Sequence, residues 1–339
     1  MIKVDTSLLS SNLATAGSAA AKAEQAGFDG VWTAELDHDP FLPLVPAALS
    51  TSRVEIGTAI AVAFSRTPMT IANIAWDLHA ASNGRMIVGL GSQIKPHIEK
   101  RFSMPWSQPA ARMREFISAM NAIFAAWQNG TKLDFRGDFY THTLMTPTFD
   151  PGPLAFAPPK IVLAAVGVAM TKVAAEVSDG ILLHGFTTER YVREVTMPVV
   201  EDALAAAGKG RDSFSVKFAP FVVTGRDEAE MAASATIAKE RIAFYASTPA
   251  YRGVLEVHGW GELQTELNQL SKQGEWTKMG TLIDEEILDA FAVVAPIDRL
   301  GAALAKRISG LADRTSLHLP KEIDAETTAT IIEALRAAG

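Results

Sequence analysis

The chain has 339 residues, with 38 acidic and 31 basic side chains for a formal net charge of −7, and it has no cysteine. A surface of that sign offers no attraction to nucleic acid or to an anionic membrane, and the lack of cysteine excludes disulfides, thiolate nucleophiles and cysteine-ligated metals. No stretch approaches the roughly 18 continuous apolar residues of a membrane helix, and MIKVDTSLLSSNL lacks the apolar core of a signal peptide, so a cytoplasmic protein is expected.

In chain order, residues 2–9 read as a first strand and residues 13–26, rich in alanine, as a helix. Gly27 then suits the left-handed position just past the helix end. Residues 30–33 form a short second strand, residues 45–52 a helix and residues 54–60 a third strand. Pro68 opens a helix that runs to about Ser82 and is stopped by Asn83-Gly84. Residues 85–91 (RMIVGLG) are a fourth strand, and residues 160–165, 180–183, 214–223 and 315–319 supply four more. Helical patterns near 110–127, 168–178, 189–207, 227–246 and 297–309 lie between or beside them.

Short apolar strands alternating with helices imply a parallel sheet covered on both faces. Eight such strands point to an α/β fold, a (β/α)₈ barrel, rather than an open doubly wound sheet. The first strand-to-helix turn, Leu8-Leu9-Ser10-Ser11-Asn12, also lacks the glycine fingerprint of the open sheet. Two stretches exceed the bare repeat. Residues 131–159 carry Arg136-Gly137 as a hairpin turn and five prolines, and residues 247–289 hold further helical pieces. Both are read as insertions in a single domain spanning 1–339.

In such barrels the catalytic groups sit at the C-terminal ends of the strands. That rule selects Glu35, Asp37, His38 and Asp39 after strand two and Thr58 to Arg66 after strand three. It also selects Ser92, Gln93, Ile94 and His97 after strand four, Val166 to Met170 after strand five and His184 after strand six. Gly167 directly before a helix start leaves backbone N–H groups free, and the helix dipole there favours an anion. His38 and His97 change charge near neutral pH and are candidate acid/base groups. Glu35 stands closest to a buried strand end. Asp37 and Asp39 read as turn and capping residues, and Trp76 and Trp127 as core. Gly89 and Gly91 lie on a strand, where glycine permits close backbone approach. No metal site is expected, since HExxH and paired histidines at ligand spacing are both missing.

Three stretches, GFDGVWTAELDHDPFLPL, IGTAIAVAFSRTPMTIANIAWDLHAASNGRMIVGLGSQ and AAVGVAMTKVAAEVSDGILLHGF, resemble in that order the luciferase-like monooxygenase superfamily. GLGSQIKPHIEKRFSMPW resembles its branch that uses the deazaflavin coenzyme F420. The resemblance implies a TIM barrel whose mouth holds an isoalloxazine or deazaflavin ring, with a ribityl chain running to a phosphate site. Glu35 then takes the acidic position after strand two, and Ala59-Ile60 matches a non-proline cis peptide that makes a bulge behind the ring. Ser92 matches a polar contact, and Val166-Gly167 with Ala169-Met170 matches the phosphate-binding turn. Thr58, Gln93, Val168 and His184 complete the residues expected to border the cofactor.

The chain departs from the sugar-phosphate dehydrogenases of that superfamily. Leu36 replaces their histidine after the acid, and Ile94 falls near their glutamate. The implied activity is therefore an F420-dependent oxidoreductase passing hydride between deazaflavin and some other organic substrate. Phe64, Ile94, Met104 and Trp106 make that substrate hydrophobic. Glu35, His38 and His97 are its catalytic candidates. An FMN-dependent monooxygenase is the alternative, and a non-catalytic flavin-binding barrel the second. A homodimer is expected, with an alanine-rich helix such as residues 71–81 at its interface.

Overall fold

Eight short parallel strands close on themselves in the computed structural model, which describes residues 1–8, 12–320 and 323–338. They are β1 (Lys3–Ser7), β2 (Gly30–Thr33), β3 (Glu55–Thr58), β4 (Met86–Gly91), β5 (Lys160–Ala165), β6 (Gly180–Leu183), β7 (Ser215–Lys217) and β8 (Arg314–Ser316). Each pairs with the next in sequence, and β8 returns to β1 with Arg314 opposite Lys3 and Ser316 opposite Asp5. This is the (β/α)₈ barrel of the alternation.

Local signals set most boundaries. Asn12 caps the helix Leu13–Gln25 by accepting from Ala14 N, and Gly27 follows it at φ +93°. Thr67 caps the helix Pro68–Ala81, which ends at Asn83 (φ 52°) and Gly84 (φ 82°). The helix Pro109–Asn129 buries Phe116, Ile123, Phe124 and Trp127, and Trp76 of the preceding helix stacks on Phe124. Leu9, Ser10 and Ser11 of the first strand end and its turn lie outside the described residues.

Successive strand residues face opposite ways. On β4, Met86, Val88 and Leu90 join the core beneath the helices, while Ile87 joins Trp32, Val162 and Leu182 in a separate apolar layer across the barrel interior. The Trp32 ring needs the neighbouring glycine: a Cβ on Gly57 would lie 2.8 Å from it. Gly89 admits β3 in the same way. The Thr58 hydroxyl donates to Gly89 O at 2.7 Å and accepts from Gly89 N at 3.0 Å, and a Cβ on Gly89 would stand 1.7 Å from the Thr58 carbonyl oxygen.

Three expectations need correction. The strand read over residues 54–60 ends at Thr58, because the Ala59-Ile60 peptide is cis; Ala61–Val62 then pairs separately with Leu90 and Gly91. The strand read over residues 214–223 is two. Pro220 supplies no N–H to a ladder, so β7 stops at Lys217, and Phe221–Val223 pairs with Ala292–Val294 outside the barrel. The insertion read over residues 247–289 is wider than that. It includes the helix Glu228–Ala246, which packs with later helices around its own core of Ile242, Leu255, Leu267 and Phe291. The terminal helix Ala325–Ala338 was not anticipated.

Gly89→Ala is expected to cost at least about 3 kcal/mol, because the methyl meets a backbone carbonyl that cannot move without breaking β3. Gly91→Ala meets the Ile60 side chain rather than backbone, Cδ1 at 2.9 Å and Cγ1 at 3.0 Å, and should cost less, about 1–2 kcal/mol. Urea unfolding of both variants checks this, and equal losses would contradict the assignment.

Candidate active site

The C-terminal end of β3 is organised by one carboxylate. Glu35 Oε2 accepts from Val62 N and from Arg66 Nη1, both at 2.7 Å, and Glu35 N donates to Ile60 O at 3.0 Å. Arg66 also donates to Asp39 Oδ2 at 2.7 Å, and Asp39 Oδ1 accepts from Phe41 N and Leu42 N, so Asp39 is a turn and capping residue as read. Glu35 is only 7% exposed, and its carboxylate holds the chain on the far side of the Ala59-Ile60 bulge in place. Thr58 lies below the bulge, fully buried, its hydroxyl engaged by Gly89. Ile60 packs over Gly91, which joins the bulge to the exit of β4.

At that exit the Ser92 hydroxyl donates to Gln93 O at 3.1 Å. Gln93 adopts φ 59°, and its side-chain oxygen accepts from Ile94 N, which leaves Ile94 exposed. His97 starts the next helical turn, His97–Arg101, on the exposed rim. His38 is also on the rim, exposed, 3.5 Å from the still more exposed Asp37. Arg101 reaches back to donate to the Leu36 carbonyl, tying the two rims together. Phe64, read as a pocket wall, is instead fully buried, edge-on to half-buried Trp106 and under the Arg112 guanidinium.

The second half of the site lies at β5 and β6. Gly167 (φ 77°) turns the chain into the helix Val168–Val177, and its carbonyl accepts from both Thr171 N and the Thr171 hydroxyl. The N–H groups of Val168, Ala169 and Met170 then point out of the first turn with no carbonyl inside the helix to take them. Val166, Gly167, Thr171, His184, Thr187 and Tyr251 border one pocket there. The His184 ring sits between Tyr245 and Tyr251, with centroids 4.6 and 4.9 Å away. Its Nδ1 accepts from Phe186 N at 3.0 Å, so the ring proton is on Nε2. Burial holds the His184 pKa at about 4, and burial beside Tyr245 pushes that of Tyr251 up to about 12. Both are therefore neutral donors at pH 7.

The structure thus brings Glu35, Ala59 and Ile60 together at one side, and Val166 to Met170 with His184 at the other. His38 and His97 stay on the rim. Thr187 and Tyr251 were missed. Tyr251 arrives from the helical insertion, and no local pattern marks it as a neighbour of a residue 67 positions earlier. Among the described residues no three His, Asp or Glu side chains gather as metal ligands, and no helix is long and apolar enough to cross a membrane.

Residues 2–314 match the profile of the luciferase-like monooxygenases. A protein of Mycobacterium tuberculosis with no characterised function is 56% identical over 313 residues, 92% of either chain. A putative coenzyme F420-dependent oxidoreductase of the same organism is 30% identical over 299 residues, 84% of this chain and 85% of that one. Among solved structures, the coenzyme F420-dependent tetrahydromethanopterin reductase of Methanopyrus kandleri superposes with a TM-score of 0.78 at 19% identity, covering 98% of this chain and 97% of the other.

Two outcomes are expected. Glu35→Gln leaves Arg66 with half its counter-charge and should cost about 1–3 kcal/mol by urea unfolding. His184 resists protonation when folded but not when unfolded. Its contribution is complete above pH 6.5 and is lost as pH falls toward 4. The decline of stability over that window should be shallower in His184→Asn, measured by urea unfolding at fixed ionic strength.

Proposed function

From the premise that the chain belongs to the luciferase-like monooxygenase family, we propose that it is an oxidoreductase using the deazaflavin coenzyme F420 on an apolar organic substrate. The observation that carries this reading is the two-ended site. An anion seat at Gly167 to Met170 faces neutral His184 and Tyr251, and the bulge at Ala59-Ile60 stands across the same barrel end. A long cofactor with a planar ring at one end and a phosphate at the other matches those two ends. The relative at 30% identity that bears coenzyme F420 in its name supports the deazaflavin over FMN.

Bound there, the deazaflavin supplies or accepts a hydride at ring carbon C5. The protein's own contributions follow from its geometry. The amides of Val168, Ala169 and Met170 would hold the phosphate, beside the pocket that Gly167, His184 and Thr187 border. Glu35, through Val62 N and Arg66, keeps Ala59-Ile60 in register as the ring's backing. Ser92 and Gln93, at the exit of β4, would border the ring. Exposed Ile94 and half-buried Met104 and Trp106 exclude water from the substrate side. His38 and His97, on the rim, are the groups placed to exchange the accompanying proton with solvent.

A homodimer belongs to the same reading, with the exposed side of the helix over residues 71–81 and the edge beside it as its face. That helix turns Ile71, Ala72, Ala75 and Trp76 into its own chain. Leu42, Val45 and Leu49 stand exposed along a neighbouring edge and form the apolar contact.

Titration of the purified protein with F420 and, separately, FMN, followed by cofactor fluorescence, tests the proposal. Binding of F420 at least tenfold tighter than FMN is expected. The reverse preference, with oxygen consumed in the presence of a flavin reductase, would replace it with an FMN monooxygenase. Binding without turnover on any substrate panel would leave a barrel that only holds its ligand.

A further inference from the structure

The opposite, N-terminal end of the barrel holds a second cavity, of about 650 Å³. The apolar layer of Trp32, Ile87, Val162 and Leu182 forms its inner wall, and the strand starts form its sides. The chemistry set out above for the cofactor makes no use of it.

Its charged side chains balance over the whole wall, but at the inner end, around Asp5 and Glu55, the cations outnumber the carboxylates. Arg314 engages Asp5 through two hydrogen bonds, Nε to Oδ2 at 2.9 Å and Nη2 to Oδ1 at 2.7 Å, and donates to Glu55 Oε2 at 2.6 Å. Lys3 takes the other Glu55 oxygen at 2.8 Å. Lys217 Nζ pairs with Asp5 Oδ2 at 2.9 Å and lies 3.8 Å above the Trp32 ring. Three cations thus face two carboxylates, and Lys217, 6% exposed, shares its one carboxylate oxygen with Arg314.

Two buried donor groups keep N–H bonds without an acceptor. Trp32 Nε1 has no hydrogen-bond acceptor among the described residues, and Lys217 Nζ, with three N–H donors, meets only the one Asp5 oxygen; both side chains border the cavity. A buried donor without an acceptor is costly, and more so when it is charged. Burial lowers the Lys217 pKa to about 8 in spite of Asp5. Water would satisfy the N–H groups but not the excess charge. An acceptor that satisfies both is a small anion. At the rim, the acids Asp179 and Asp313 are already engaged, by Ile161 N and by Val216 N with Arg211. Asp212 is exposed, and so is Lys160, which has no ion-pair partner among the described residues.

We propose that the N-terminal cavity binds a small singly charged oxyanion, such as a carboxylate or dihydrogen phosphate, through Lys217 Nζ and Trp32 Nε1, with Lys160 at its entrance. The ligand would stabilise the folded barrel by mass action, at the end of the barrel away from the cofactor.

The test is calorimetric titration and thermal unfolding of the full chain with sodium acetate, and then inorganic phosphate, against sodium chloride at matched ionic strength. No cofactor is present, so the result is independent of the proposed function. A saturable heat and a Tm rise of a few degrees are expected. Lys217→Met should abolish both; its anion-free Tm should fall, because Asp5 loses a buried partner, so the readout is the change on adding anion, not the starting stability. Trp32→Phe should weaken binding several-fold. Lys160→Met, at the surface, should fold as the parent does and weaken binding about threefold. If Lys217→Met does not fold, the other two variants decide. A response unchanged in these variants would place the anion elsewhere, for instance at the Gly167 turn, and overturn the proposal. So would the lack of any saturable response.

Discussion

The bidentate contact between Arg314 and Asp5 joins residues 309 positions apart and ties the last strand of the barrel to the first. A parallel barrel has no hairpin to bring its closing strands together, so the closure rests on strand pairing and on whatever fills the interior. Here the filling beside the seam is ionic. Burial alone would raise the Asp5 pKa, but Lys217 and Arg314 outweigh it and hold it at about 2. Removing one partner of such a buried pair costs about 3–5 kcal/mol, mostly through the charge left behind. The apolar layer at Trp32 sits beside this seam and separates the interior into two ends. One end is an open mouth where strands finish, and the other is a charged cavity where they begin.

That division explains why the mouth is free to specialise. The strands finish at different heights, and each exit carries its own device. At β3 it is the cis bulge held by Glu35 and Arg66, at β4 the left-handed Gln93, and at β5 the Gly167 turn. None of these contributes to barrel closure. Each positions backbone groups, so the mouth presents amide N–H groups and short polar side chains from several strand ends. The wider helical insertion then adds Tyr245 and Tyr251, whose rings keep His184 dry and neutral.

Legibility in the sequence followed the range of the interaction. Gly27, Pro68 and Asn83-Gly84 act on their own neighbours, and the helices end where those residues require. Gly89 was readable as a close approach, although its partner, the Thr58 carbonyl, was not. Pro220 is the instructive failure. A run of apolar residues over 214–223 was read as one strand, although the proline inside it denies the ladder a donor. The cis peptide had no signal in composition or period and was reached by resemblance alone.

The pairings that stayed hidden share one property: their two members lie far apart in sequence and on different elements. Arg66 and Glu35 are 31 positions apart, His184 and Tyr251 67, and Lys217 and Asp5 more than 200. Short strands made the interior charges harder still to see. With three or four residues per strand, alternation between an outward apolar residue and an inward polar one covers barely two periods. Lys217 falls inside the run read over 214–223 and Arg314 just ahead of the one read over 315–319, with nothing in either run to turn the charge inward. Only closure of the barrel turns these side chains inward and makes their charges neighbours, so the interior electrostatics belong to the fold as a whole.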